Sequence, residues 1–376
     1  MTPSKATREQ LREHNRRLVL RMLYQGDVKT RAALAGVTGL TKPTVSNLVG
    51  ELIDEGLVVE EGLGRSSDSG GKRPTLLAFN PRARQLIGVA LGGDGASAVL
   101  ADLAGDVSAV HVVELTGLGE AAVSVAVEGA VAALVPQLDA PLLAVGVAVP
   151  GRVVPATGEV RRSAVLGLRE TPLAATLTAR LGVPVHVGNL AELCALGQYS
   201  FGPLGGALMG TLVTLTLDED LELGAVLHPG GAHFGGELSG LMIDELRLGW
   251  SAFKERAAEL RRREPGAPAV GPRYLQVRAA AERGDSVARQ LVGELAANLA
   301  RPLAWVLALL RPAHVSLAGG VTDLGDGFLA KLGRSVEALL GPGALAEVEL
   351  SMAYSNRLGA MGAVALANLA ELELVA

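Results

Sequence analysis

From Thr7 to Gln25 the apolar residues Leu11, Leu18, Val19, Met22 and Leu23 recur three and four positions apart, which predicts an amphipathic helix with one buried stripe. Gly26-Asp27 ends it. A second helix fits Thr30 to Ala35 with the Thr30 hydroxyl as its cap, and GVTGL then makes a tight turn. The third helix opens in TKPTVSNLVGELIDEGL. Thr41 is its N-cap, Pro43 lies in the first turn where a missing N–H costs nothing, and Gly56 closes it. Val45, Leu48, Val49, Leu52 and Ile53 form the inward stripe, which leaves Lys42, Thr44, Ser46 and Asn47 facing outward. LVVEEG and RPTLLAFN read as two extended stretches, joined by the partly basic LGRSSDSGGK.

After Asn80-Pro81 the chain turns to alanine, valine, glycine and leucine. LIGVALGG, ASAVLADLAG and DVSAVHVVEL predict three consecutive strands, followed by a helix from about Gly119 to Val135 and a buried strand in PLLAVGVAVPG. VPVHVGN is a further strand that runs straight into an Ala/Leu-rich helix at Asn189. ALMGTLVTLTL and LELGAVLHPGG open a second group of strands and lead into a helical stretch from about Glu237 to Pro312. The strands AHVSLAGG and AEVELSMA, with a helix between them, precede a last helix from about Leu358. This order predicts two α/β lobes with a cleft between them, lined by strand-end junctions at Pro150-Gly151, Gly188-Asn189, Gly235-Glu237 and Gly319-Gly320. The boundaries are 1–80 for the helical unit, 81–190 for the first lobe and 191–376 for the second, with the last helix packing back on the first lobe.

Helix, helix, turn, helix and hairpin is the order of a winged helix-turn-helix. Thr41, Lys42, Thr44, Ser46 and Asn47 at the start of the third helix would reach base edges or phosphates, and Arg65, Lys72 and Arg73 on the wing would reach the DNA backbone or minor groove. The net charge of −5 hides an asymmetry: residues 1–80 carry +3 and the remainder −8. Hydrophobic residues make up 49% of the chain, yet no continuous apolar run approaches the roughly 18 residues of a membrane span, and the charged N-terminus does not read as a secretory signal. A soluble, cytoplasmic protein is expected. The single cysteine, Cys194, excludes an internal disulfide and a multi-cysteine zinc site, and reads as a small buried thiol.

The helix-turn-helix, the wing ending GKRPTLLAFNP, and GVAVPGRV, GVPVHVGN, GGELSG, VSLAGGV and LGAMGAVALA together resemble the ROK family, from about Thr7 to Leu372. That family contains bacterial transcriptional repressors and sugar kinases on one two-lobed, actin-like fold. The resemblance implies a regulator, because the family's kinases lack the N-terminal unit. It also implies that Asn189 and Glu237 sit at the sugar-binding positions, that the protein works as a homodimer on a double-stranded DNA operator, and that a sugar or other small molecule is its effector.

Where the family's catalytic Asn-Asp pair stands, this chain has Asn189-Leu190, and leucine cannot accept a proton. The aspartate of the first phosphate loop is replaced by Ala90, with Asp94 four residues on, and the second phosphate loop reads as the acidic TLTLDEDLELG. Gly240 replaces the zinc-binding histidine and the accompanying cysteines are missing. His228 and His233 lack further ligands at sensible spacing. No catalytic residue, metal ligand or cofactor is therefore expected. Two other readings remain: a sugar kinase fused to a DNA-binding unit, which Leu190 disfavours, and a regulator that has lost sugar binding and answers to a different ligand or to a protein. Arg152, Arg161, Arg162 and His186 are further polar residues near the predicted cleft that could build a pocket, although each taken singly reads first as a solvent-exposed loop residue, and Asn189 itself reads equally as a helix cap alone or as cap plus ligand contact.

Overall fold

A computed structural model of the chain describes residues 8–26, 28–64, 73–93, 95–202, 210–218, 221–227, 232–237, 249–263, 273–353 and 357–374. Arg65, Lys72, Asp94, His228 and Gly240 lie outside the described residues. The N-terminal unit consists of α1 (Arg8–Tyr24), α2 (Arg31–Thr38) and α3 (Lys42–Asp54), then β1 (Val58–Leu63) paired antiparallel with β2 (Thr75–Phe79). The Thr30 hydroxyl accepts from Ala33 N and the Thr41 hydroxyl from Thr44 N, so both predicted caps are made. The expected GVTGL turn is shorter than the sequence suggested. Gly36 to Thr38 stay helical, and the chain turns at left-handed Gly39, whose N–H satisfies the Ala35 carbonyl. Leu11 is 53% exposed, and Leu20 joins Val19 and Leu23 on the buried face instead. Arg12–Glu51 (2.6 Å) and Arg16–Glu55 tie α1 to α3.

The first lobe comprises β3 (Gln85–Leu91), β4 (Gly95–Asp102), β5 (Val107–Glu114), α4 (Glu120–Leu134), β6 (Leu142–Val149), a small sheet of β7 (Arg152–Val154), β8 (Glu159–Ser163) and β9 (Leu168–Thr171), α5 (Leu173–Leu181) and β10 (Val185–Asn189). After α6 (Leu190–Phe201) come β11 (Leu212–Leu217), β12 (Leu221–Leu227), β13 (Ala232–Glu237), α7 (Trp250–Arg263), α8 (Tyr274–Glu282), α9 (Ser286–Leu310), β14 (His314–Ala318), α10 (Asp326–Leu340), β15 (Glu349–Met352) and α11 (Leu358–Leu372). The main sheets run β10-β6-β3-β4-β5 and β15-β14-β11-β12-β13. In each, an antiparallel meander of three strands is extended on its first strand by two parallel ones, so the second lobe repeats the topology of the first.

The small sheet β7–β9 and strand β13 have no counterpart in the sequence reading, which began a helix at Glu237; that residue instead ends β13, opposite Glu222. Short strands of three to six residues carry too few alternations to be legible beside longer apolar runs. The helices α4 and α9 are, by length and mean hydropathy alone, apolar enough to pass for membrane spans, although no continuous apolar run is. In the fold they are core helices: Val127, Ala130 and Leu134 pack under the first sheet, and Leu295, Leu299 and Leu303 under the second.

The lobes meet through two helices rather than through their sheets. Helix α11 lies on β3 and β6 of the first lobe, α6 lies on β11, β12 and β13 of the second, and the two helices pack against each other. Their crossing is made by glycines. A Cβ at Gly197 would stand 2.6 Å from Gly362 N, and one at Gly362 would fall on the Leu193 carbonyl. Such backbone-to-backbone approach admits no side chain. The N-terminal unit also shares a core with the first lobe: Val19, Leu20, Val45 and Leu52 belong to one cluster with Leu86, Val99, Ala360 and Val364. Replacing Gly362 with Val is expected to cost roughly 3 kcal/mol or more, because backbone rather than a movable side chain blocks the space. Urea denaturation of the variant checks this; an unchanged midpoint would mean that the helices separate freely.

Candidate functional site

The cleft between the lobes holds a cavity of about 930 Å³. Its first-lobe wall is built from strand-end loops, with Gly92-Gly93 after β3, Pro150-Gly151 after β6 and Leu190 at the start of α6. Thr216, Asp218 and Glu222 face it from the second lobe, and Trp250, Tyr274 and Gly320 close the far end. Trp250, Phe253 and Tyr274 form an aromatic cluster with ring centroids 4.4 to 5.4 Å apart, which stiffens that wall.

Asn189 is 3% exposed and its amide is fully engaged. Its Oδ1 accepts from Glu192 N at 2.9 Å, the N-cap expected from the sequence. Its Nδ2 donates to the Gly151 carbonyl at 2.7 Å and to Glu222 Oε2 at 3.4 Å. Glu222 in turn takes Gly151 N–H on Oε1 at 2.9 Å. Gly151 is held at φ +120°, and a side chain there would run into Ser163 and the Arg162 carbonyl. Only glycine gives this donor its place.

The same helix start carries a second tie, to β13 of the second lobe: His233 Nδ1 lies 2.6 Å from Glu192 Oε1, so His233 is a hydrogen-bond partner of α6. At the other end Asp218 Oδ1 accepts from Gly320 N at 2.6 Å, while its carbonyl takes Trp250 N. A carboxylate of the protein thus sits on the loop after β14, where an anionic ligand would otherwise find N–H groups. Cys194 on α6 is buried, and its thiol is pushed up to about 12, first by burial and then by the negative charges of Asp218 and Glu222.

Of the expected ligand residues, Asn189 is at the cleft, and Glu237 is placed in register with Glu222 at the end of β13. Leu190 lines the cavity, as its position beside Asn189 implied. Of the two readings of Arg152, Arg161, Arg162 and His186, pocket lining or solvent-exposed surface, the structure bears out the second for the arginines, and none of the four lines the cavity. The three arginines project to solvent from β7 and β8, Arg161 pairing with Glu159 and Glu170. His186 bonds Glu371 on α11 at 2.7 Å. Glu222 was missed, though a glutamate inside the buried strand LELGAVL is itself a signal, since such a charge needs partners. At the other end of the molecule Thr41, Lys42, Ser46 and Asn47 are exposed around the start of α3, Thr44 is half-buried with its hydroxyl 2.8 Å from that of Thr41, and Arg73 is exposed before β2.

Residues 86–217 and 263–370 match the model of the ROK family, more than half of the chain. The chain is 28% identical over 352 residues to the xylose repressor of Caldicellulosiruptor bescii, covering 86% of this chain and 87% of that one. It is 27% identical over 237 residues to the xylose repressor of Bacillus subtilis, 61% of this chain and 60% of that one, so it spans less than two thirds of that relative. A glucokinase of Streptomyces coelicolor is 29% identical over 317 residues, 75% of this chain and 96% of that one. Among solved structures, a ROK family transcriptional regulator described as a homolog of the E. coli MLC protein superposes with a TM-score of 0.78 at 18% identity, covering 96% and 97% of the two chains, which shows a common fold.

Two outcomes follow from the site. Asn189→Ala and Asn189→Asp are both expected to cost roughly 2–3 kcal/mol, the first by losing the cap and orphaning its partners, the second by setting a carboxylate against Glu222; a neutral Asn189→Asp in urea denaturation would reduce the residue to a cap. At pH 8, four units below its displaced pKa, the native Cys194 thiol is expected to react with a thiol reagent only after unfolding. Immediate absorbance change in native buffer would show the buried environment of α6 to be open.

Proposed function

This chain belongs to the ROK family, and we propose that it is a transcriptional regulator of repressor type, binding a double-stranded DNA operator as a homodimer under the control of a sugar held in the interlobe cleft. The observation that carries the reading is the N-terminal unit. Three helices and a hairpin present an exposed, capped helix start bearing Lys42, Ser46 and Asn47, in the order of a winged helix-turn-helix. Lys42 would meet phosphate and Asn47 base edges, with Arg65, Lys72 and Arg73 of the wing on the flanking backbone. Two copies are needed because paired recognition helices read half-sites about 34 Å apart. Binding DNA places its work in the cytoplasm.

The relatives named xylose repressor make D-xylose the first effector to test. Phosphoryl transfer is not part of this proposal. Leu190 offers no base at the Asn189 junction, and Asp218 covers the Gly320 amide that a phosphate would use. No metal or nucleotide cofactor enters the mechanism.

Purified protein is expected to retard a fragment of its own promoter region at moderate salt. Lys42→Ala and Asn47→Ala should each weaken binding by roughly tenfold or more, the first for all sequences and the second mainly for the operator. D-xylose or another neutral sugar is expected to raise the melting temperature and to change operator affinity. Failure of the full-length protein to prefer its promoter over unrelated DNA would overturn the reading, and ATP consumption with any sugar would overturn its non-catalytic part.

A further inference from the structure

From the second lobe, Glu222 sets its carboxylate on the Asn189 junction, where it accepts from two groups of the first lobe, Gly151 N–H at 2.9 Å and Asn189 Nδ2 at 3.4 Å. It is 6% exposed and lines the cavity. These bonds hold a charge in a nearly closed space and bridge the two lobes at the same time. Any ligand reaching Asn189 must therefore deal with a carboxylate on one side and two N–H donors on the other.

Three ligand chemistries meet this arrangement differently. A hydroxyl is both donor and acceptor, so it can accept from Gly151 N–H or Asn189 Nδ2 and donate to Glu222, leaving no buried group unsatisfied. A phosphate or carboxylate brings acceptors only, and faces Glu222 with like charge in a shielded cleft. An ammonium group satisfies Glu222 but leaves the amide donors without acceptors, which is costly when buried. Asp218, on the Gly320 amide, adds a second negative charge on the same wall.

We propose that Glu222 is the selectivity residue of the cleft: an interlobe clasp whose hydrogen bonds a neutral polyhydroxylated ligand takes over, and which turns away phosphorylated or acidic forms of the same ligand. The proposal rests on the effector reading above and deepens it. The carboxylate missing at position 190 is in effect replaced from the opposite lobe, in a role of recognition rather than proton transfer. Inserting a hydroxyl between Glu222 and Gly151 also spreads the lobes at the junction that begins α6, so occupancy and lobe position are one event.

The test uses the full-length chain and its Glu222→Gln and Glu222→Ala variants. Calorimetric titration with D-xylose and D-glucose is compared with D-xylonate, D-gluconate and glucose 6-phosphate, and amide hydrogen exchange is followed at Gly151 without ligand. Wild type is expected to favour the neutral sugar over its anionic form by about a hundredfold. Glu222→Gln, which keeps shape and one acceptor, should shrink that ratio to roughly tenfold or less, and Glu222→Ala should speed exchange at Gly151. Equal binding of neutral and anionic forms by wild type, or a ratio unmoved by Glu222→Gln, overturns the proposal. Should wild type bind none of these sugars, the effector reading falls, and exchange alone decides the clasp: faster exchange at Gly151 in Glu222→Ala upholds it, and unchanged protection overturns it.

Discussion

The close crossing of α6 and α11 at Gly197 and Gly362 is the constraint on which the rest of this molecule depends. Each helix is fixed to one sheet, so the crossing sets the relation between the lobes and hence the width of the cleft. Glycines on the sheets repeat the device: Gly146 lies against the Ala363 carbonyl of α11 and Gly224 against that of Ala191 on α6. Two sheets and two helices are thereby stacked with little side-chain volume between them. Shifts of α6 must then move α11, since packed backbone cannot deform gradually.

That coupling reaches the N-terminal unit. Glu373, just past α11, is bonded by Arg17 at 2.5 Å and Arg21 at 3.1 Å, both on α1. Solvent-exposed ion pairs contribute little stability, but these two join the end of the interlobe helix to the helix that braces α3 through Arg12 and Arg16. The shared core of α1, α3, β3 and α11 makes the same connection with apolar contacts. A continuous packed path thus leads from the Asn189 junction to the exposed face of α3.

Much of the fold was legible because its elements are long and regularly patterned. The stripe of α3, the caps at Thr30 and Thr41, the β3–β5 meander and the strand-to-helix junction at Asn189 all follow from local spacing and cap chemistry. The short strands β7–β9 and β13 escaped, and Arg152, Arg161 and Arg162 on β7 and β8 could be read from the sequence either as exposed surface or as pocket lining. Alternation over three to six residues does not say which face turns inward; the neighbouring sheet does.

The sequence alone determined that Asn189 caps a helix and that Leu190 leaves its neighbour without a carboxylate, since both depend on residues a few positions away. Only the tertiary structure decided what stands opposite. Glu222 reaches Asn189 across 33 residues, Asp218 reaches Gly320 across 102, and Arg17 reaches Glu373 across 356. Periodicity records which way a residue faces relative to its own element. The partner it then meets is fixed by how two sheets are set around a glycine crossing, a distance relation that no local pattern encodes.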